Sequence, residues 1–384
     1  MIIGIDIRNI GKNRTGDEVV FFNLVKNLQK IVREKKQEEC NFLLFTDITD
    51  KNKLKEIEKD LGITKGNGFE IVSIESKNRF IWNLWTLPRY LRKNPVDAYH
   101  TQYITPLFVP RKIKIIATIH DVSFKTHKQF IKKSDLFFLS ILIPLSFKRA
   151  DKIIAVSQFT KNEIVRHYGM EEKKIEVVNN SIGDNFRREI SQDELKKVQE
   201  KYKLPQNFIL YLGTMQPRKN IPSLVEAFAK IKKDIFGAKL VLAGNRKAHN
   251  FDKKIDEVIE KEGLREDVIF PGYVDEKDKP ALFCLAKIFA FLSFYEGFGI
   301  PILEAMSQNV PVLASDIPVL REVGGDRCDF AASGDLDEIS KKMYNLFIDE
   351  NLRREFILSG KKRAEEFSWE KSAEKLLEIY QRII

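Results

Sequence analysis

The sequence predicts an α/β protein of two doubly wound, Rossmann-like domains. Short apolar runs that read as buried strands alternate with amphipathic helical stretches along the chain, the rhythm of parallel sheets. The alternation starts afresh near the middle, at Phe208-Ile209-Leu210-Tyr211-Leu212. At 384 residues the chain is long enough for two cores of ordinary size. Two such sheets imply a ligand cleft at the strand C-termini, between the domains.

In chain order, the first half predicts strands at 2–5, 41–45, 70–74, 98–100, 115–119, 152–155 and 175–178. Helices fall between them, among them 18–32 and 161–168, the latter capped by Ser157. A charged helix at 191–202 leads to a short junction, Lys203 to Gln206, containing Pro205. The second half predicts strands at 208–212, 239–243, 268–270, 288–292 and 312–314, with a helix at 221–231. An amphipathic helix, 369–383, ends the pattern.

Hydrophobic content of 43% and charged content of 31% suit a soluble globular protein. The formal net charge of +10 suits acidic partners: nucleotide diphosphates, lipid phosphates, anionic membranes or nucleic acid. No groove-reading or RNA-stacking motif accompanies it, so nucleic acid is not expected. Cys40, Cys284 and Cys328 show no metal or redox spacing. With no basic-then-apolar signal segment at the N-terminus, a cytoplasmic protein is expected. The longest apolar run, 136–145, is too short to cross a bilayer and contains Pro144, so a buried helix is expected there. The segment 79–93 mixes aromatics with arginines. It reads as an ordinary amphipathic helix or as a contact with an anionic membrane surface, and both readings stay open.

The stretch Ser293 to Met306 carries the most chemistry. Glu296 sits in a loop after a buried strand, and Glu304 in the early turns of the next helix. Between them, Gly297 and Gly299 leave backbone N–H groups bare, and Pro301 suits a helix start. A helix N-terminus aimed at the same space favours negative charge. A nucleotide sugar needs both N–H groups for its diphosphate and carboxylates for its hydroxyls.

This paired-glutamate stretch resembles the signature of retaining glycosyltransferases with the GT-B fold, in particular glycosyltransferase family four. Asn309 to Pro318 and Arg321 to Gly325 continue the resemblance. It implies a donor site in the second half. Glu304 would accept from ribose hydroxyls, and Glu296 with the backbone of Gly297, Phe298, Gly299 and Ile300 would hold the sugar hydroxyls. Gly213, Thr214, Arg218 and Lys219 follow the strand 208–212, and the two cations there can neutralise a departing diphosphate. The family often has arginine where Thr214 stands. Asn245 follows another strand and would line the nucleotide side. Tyr273 and Val274 resemble the segment that holds the base.

In the first half, His120 ends a strand and has a family counterpart near the donor sugar; a structural histidine satisfied by Asp121 is the other reading. His100, His127, His167 and His249 show no metal-ligand spacing with it, and no metal site is expected. Asp335-Leu336-Asp337 reads as a helix cap rather than a metal site. Gly16, with Gly11 and the polar residues Lys12-Asn13-Arg14-Thr15, forms a loop that closes over the donor phosphate in the family.

The resemblance thus implies an acceptor-binding domain over 1–202, a nucleotide-sugar-binding domain over 206–366, and a helix over 367–384 crossing back to the first. It implies a metal-independent, retaining transfer of a hexose to a glycan or lipid-linked acceptor, with no cofactor beyond the donor. The form of the 213–220 loop leans toward mannose from GDP-mannose; UDP-sugar users share the framework. A non-catalytic nucleotide-sugar-binding subunit and another GT-B enzyme, such as a sugar-nucleotide epimerase, are the alternatives.

Overall fold

A computed structural model describes residues 1–12, 16–34, 40–64, 66–246 and 250–384, and only the backbone of Ser134. Asn13, Arg14, Thr15 and His249 lie outside the described residues. The chain forms two compact units. The first comprises residues 1–125, 133–180 and 368–384, the second residues 126–132 and 181–367.

The first unit is built on seven parallel strands: β1 (Ile2–Asp6), β2 (Asn41–Thr46), β3 (Phe69–Ser73), β4 (Ala98–Gln102), β5 (Lys114–Ile119), β6 (Lys152–Ala155) and β7 (Ile175–Val177). Their order is β3-β2-β1-β4-β5-β6-β7. Ile3, Ile5, Phe42, Leu44, Ile115 and Ile153 are buried. Helices cover a parallel sheet on both faces, so its strands read as unbroken apolar runs instead of alternating ones. The helix Trp369–Ile383 belongs to this unit. Its Tyr380 hydroxyl meets His100 Nδ1 at 2.6 Å, while Thr118 Oγ1 meets His100 Nε2 at 2.7 Å. Burial, with His120 adding to it, pushes His100 down to about 3, so the ring is neutral and structural.

The second unit has six parallel strands: β8 (Phe208–Leu212), β9 (Lys239–Ala243), β10 (Val268–Gly272), β11 (Ile288–Phe291), β12 (Val312–Ser315) and β13 (Asp329–Ala331). Their order is β10-β9-β8-β11-β12-β13. Strand order reverses between β8 and β11, which makes the mouth of that crevice the switch point where doubly wound sheets take ligands. β13 has no counterpart in the sequence reading. It is three residues long, begins with Asp329, and exists because it pairs with the exposed edge of β12.

Local capping follows the sequence. Ser157 Oγ accepts from Thr160 N at 3.0 Å. Asp335 Oδ1 accepts from Asp337 N and Glu338 N at 3.1 and 2.9 Å, so Asp335-Leu336-Asp337 is a helix cap. Ser191 and Glu194 form a reciprocal capping box.

One apolar segment departs from expectation, and a second, 79–93, is helical as one of its two readings had it. The run 136–145 lies in a helix, Lys133–Arg149, but that helix is not buried: Phe137, Phe138, Ile141 and Leu145 face outward, while Ile143 and Phe147 pack inward. Its apolar residues surround the helix, and only one side meets the sheet. The segment 79–93 is a continuous helical run with a π turn at Trp82–Thr86. The Arg8 guanidinium lies 4.7 Å over the buried Trp82 ring, and Leu87 and Leu91 are buried; Ile81, Leu84 and Trp85 are exposed.

Candidate functional site

Two loops of the second unit emerge beside each other at its switch point. One follows β8 and runs from Gly213 to Asn220; the other follows β11 and carries Glu296 to the helix Ile300–Ser307. Gly213 and Gly244 let the first loop leave the sheet. A Cβ on Gly244 would lie 2.1 Å from the Gly213 carbonyl oxygen, so no side chain fits where these backbones cross. Gly299 makes the second turn. Its φ is +102°, and a Cβ there would stand 2.6 Å from Leu320 Cδ2. Ile300 and Pro301 then open the helix; proline in the first turn loses no helical hydrogen bond.

The structure brings Arg218, Lys219 and Glu296 together. Lys219 Nζ donates to Glu296 Oε1 at 2.5 Å, and Arg218 Nη1 donates to Oε2 at 3.0 Å. Arg218 Nη1 also donates to the Tyr295 carbonyl at 3.1 Å, and Phe294 N donates back to the Arg218 carbonyl at 2.9 Å. These four contacts lock one loop to the other. Lys219 Nζ further sits 4.9 Å over the Phe291 ring. Glu296 is only 6% exposed. Burial pushes its carboxyl up, but Lys219 and then Arg218 outweigh that and hold it at about 2. A guanidinium and an ammonium group thus share one carboxylate in the loop that leads to a helix start. That arrangement attracts an anion.

Glu304 is buried in the same helix, 7% exposed. Burial raises its carboxyl to about 7, with Lys279 pulling it down and Glu276 pushing it up. Burial pulls Lys279 down in turn, but Glu304 and Glu276 more than offset this, and Lys279 and Glu276 form an ion pair. Lys279 and Glu276 were not singled out from the sequence. The available signal was Lys279 at the first position of a helix, Lys279–Leu285, where the helix dipole disfavours a cation. Glu304 and Glu276 supply the reason it stays.

The remaining second-unit residues are more dispersed in role. Thr214 contributes its carbonyl to the Tyr211 hydroxyl at 2.7 Å. Asn245 is exposed just beyond β9. Tyr273 is exposed just beyond β10, and Val274 is buried. The Phe298 ring is buried edge-on against Phe367, so only the backbone of that residue is available to a ligand. Gly297 is buried between Glu296 and Phe298. Arg246 is tied to Asp256 at 2.5 Å.

In the first unit, His120 lies at the C-terminal end of its sheet. Its Nε2 is 2.9 Å from Gln102 Oε1 and 3.9 Å from Asp17 Oδ1. Tyr103, held at φ 54°, packs its ring 5.5 Å from the imidazole. Asp121 instead accepts from Ser123 N and Oγ. Gly16 is the exposed first residue of the helix Gly16–Glu34, beside Asp17. Asp17, Gln102 and Tyr103 could not be read from sequence as partners of His120, because the helix Gly16–Glu34 delivers the first and the end of β4 the other two.

Comparison with known families agrees with this geometry. Residues 192–363 match the model described as glycosyl transferases group 1, and residues 18–185 match glycosyltransferase family 4. The chain is 33% identical over 277 residues to the O-antigen chain mannosyltransferase B of Escherichia coli, covering 71% of this chain and 72% of that protein. It is 31% identical over 241 residues to the serotype-specific mannosyltransferase WbdA of Escherichia coli, covering 62% of this chain but only 29% of that longer protein. A glycosyltransferase structure from Rickettsia africae superposes with a TM-score of 0.75 at 21% identity, over 100% of this chain and 98% of that one. The chain belongs to glycosyltransferase family four, with the GT-B fold.

Proposed function

We propose that the protein is a retaining mannosyltransferase that uses a nucleoside-diphosphate sugar, GDP-mannose, and extends a glycan or lipid-linked saccharide. Glycosyl transfer follows from the family; the sugar is suggested by the mannosyltransferase relatives. The single observation that supports the donor site best is the Arg218–Glu296–Lys219 cluster at the switch point of the second sheet. The leaving group is a nucleoside diphosphate, which gains negative charge as the glycosidic C–O bond breaks. Arg218 and Lys219 stabilise that charge in place of a divalent metal, and Glu296 holds both cations where the phosphate needs them. A carboxylate has about four lone-pair sites, so Glu296 retains capacity to accept from a sugar hydroxyl while paired. Glu304 accepts from the ribose hydroxyls. The acceptor hydroxyl attacks the anomeric carbon from the side the phosphate leaves, and the phosphate oxygen takes its proton. His120, with Gln102 and Asp17 around it, contributes a polar group toward the acceptor or sugar.

The test is a thermal-shift panel of nucleotide sugars, followed by transfer from labelled donor to a mannose-terminated lipid-linked acceptor. A ligand that binds the native state raises the melting temperature by mass action. GDP-mannose should give the largest shift and be consumed with retention. A larger shift with a UDP-sugar, or an inverted product, would overturn the donor or the stereochemistry respectively.

A further inference from the structure

Glu304 is a buried carboxylate that the protein itself leaves open. It is 7% exposed, and among the described residues no group donates a hydrogen bond to its side chain. A buried acceptor in that condition marks a place for the donors of a ligand. Two charged side chains act on it: Lys279 draws its proton off, and Glu276 holds it on. Other charged groups on the surrounding elements are turned to partners of their own. Arg218 and Lys219 hold Glu296, and Arg321 holds Asp316. Arg363 is turned to Glu366 and to the Val323 and Glu322 carbonyls.

Lys279 is costly where it stands. Its side chain is 18% exposed, and it opens the helix Lys279–Leu285, whose dipole opposes a cation there. Packing does not ask for it, because Pro280, Ala281, Leu282 and Phe283 already bury that helix. Its ammonium group pairs with Glu276 and feels both Glu304 and the Tyr273 phenol. The loop that carries Glu276 is pinned on both sides. Asn185 Nδ2 donates to the Glu276 carbonyl at 2.9 Å. Asp275 N donates to the Tyr202 hydroxyl at 3.1 Å, and that hydroxyl donates to Asp278 Oδ2 at 2.9 Å. Lys201 Nζ bridges Asp275 and Asp278 at 2.6 Å each. Lys279 is therefore a fixed charge beside Glu304, unlike a free surface lysine.

Resting on the reading of Glu304 as the ribose acceptor, we propose that Lys279 is a positioning residue of the donor site: it keeps Glu304 a carboxylate able to accept from both ribose hydroxyls, and Glu276 opposes it. A carboxylate accepts from two hydroxyls at once; protonated, it keeps one full acceptor oxygen and donates with the other. Burial raises Glu304 to about 7 even with Lys279 in place. Without the ammonium group it is protonated at neutral pH. Nucleotide affinity therefore falls as pH drops through the Glu304 titration, and each neighbour moves that midpoint in its own direction.

The test is calorimetric titration of the full chain with GDP and UDP between about pH 5.5 and 9, continued with the tighter nucleotide and its 2′,3′-dideoxy analogue. The analogue carries the same base and diphosphate, so the ratio of the two affinities isolates the ribose hydroxyls. In the wild type that ratio should rise with pH through about 7. Lys279→Met should move the midpoint up by about one pH unit and lower the ratio roughly tenfold at neutral pH. Lys279→Arg should restore the wild-type profile, and Glu276→Gln should move the midpoint down. A merely structural pair would lower the melting temperature without these opposite shifts. A wild-type midpoint in folded Lys279→Met, or shifts of one sign in both variants, overturns the proposal. Should Lys279→Met not fold, Glu276→Gln decides, and an unmoved midpoint there overturns it. An analogue that binds the wild type as tightly as its parent, or no binding of either nucleotide, overturns the ribose reading of Glu304 itself and the proposal with it.

Discussion

Lys219 Nζ and Glu296 Oε1 meet at 2.5 Å although 77 positions separate them in sequence. Each ends a different strand-to-helix loop, and the sheet order β9-β8-β11 makes those loops neighbours. The pair is therefore a product of topology. It fastens the two loops that frame the candidate donor site, and it leaves Arg218 as the more exposed cation.

Removing one member should separate chemistry from folding. Arg218→Ala leaves Lys219 to hold Glu296, so the melting temperature should change little. Transfer should fall by about 10²–10³, the usual cost of losing one charge-stabilising donor. Lys219→Ala removes the buried partner and should lower stability by roughly 3 kcal/mol as well. Denaturant melts and initial rates on the same preparations measure both. Full activity in either variant would count against the donor site.

The two glutamates should respond to pH in opposite directions. Glu296 is held at about 2, below its unfolded value, so its stabilising effect is present above the ordinary carboxylate range. It fades as pH falls toward 2. Glu304 is raised to about 7, so its contribution is complete below the ordinary carboxylate range and is lost as pH rises through 7. Glu304→Gln should flatten the stability profile between pH 5 and 8, and Glu296→Gln should flatten the acid limb; pH-resolved urea titrations on the three proteins read this directly.

Two glycines offer a contrast. Gly299→Ala meets both a left-handed backbone and Leu320, and should cost about 1–3 kcal/mol with a loss of activity. Gly16→Ala meets nothing within 4 Å and has no left-handed φ. Its stability should be unchanged or slightly higher. If Gly16 approaches the donor phosphate, its alanine variant will show a raised donor KM at unchanged melting temperature.

A short piece of the first half supports the Glu296 loop. Phe130 stacks on Phe294 at 5.5 Å and 13°, His127 lies 4.9 Å from the Tyr295 ring, and Asn250 Nδ2 donates to the Phe130 carbonyl at 2.9 Å. Phe130→Ala should destabilise by about 1 kcal/mol. Its effect on kcat should exceed its effect on stability, because Phe294 is hydrogen-bonded to Arg218. A wild-type kcat in that variant would show the loop to be rigid without this support.

Much of this architecture is readable in the sequence because parallel strands are buried on both faces and so appear as apolar runs. β8 and β9 have the bounds the pattern gives, since each is a run of four or five apolar residues closed by glycine. β13 escaped because three residues beginning with aspartate carry no such pattern; edge pairing alone makes them a strand. The outward face of Lys133–Arg149 escaped for the reverse reason. A helix apolar all round reads as buried, whatever its neighbours cover. At the site, Arg218, Lys219 and Glu296 were legible because glycines and a helix-start proline mark their loops. Gln102 and Tyr103 were not, because nothing local distinguishes them until the fold brings them to His120, and Lys279 offered only a cation at a helix start, a signal that points to no partner until Glu304 is placed beside it.

Tyr380 and Ser372 satisfy groups deep in the first unit, His100 and the Asn179 carbonyl, from the far end of the polypeptide. During synthesis, then, the N-terminal portion waits on the ribosome with an imidazole facing an empty slot. It can assemble its sheet early, but it reaches its final packing only after residues 369–383 have been made. A messenger truncated ahead of that helix would leave the first unit defective, although its sheet strands had all been made.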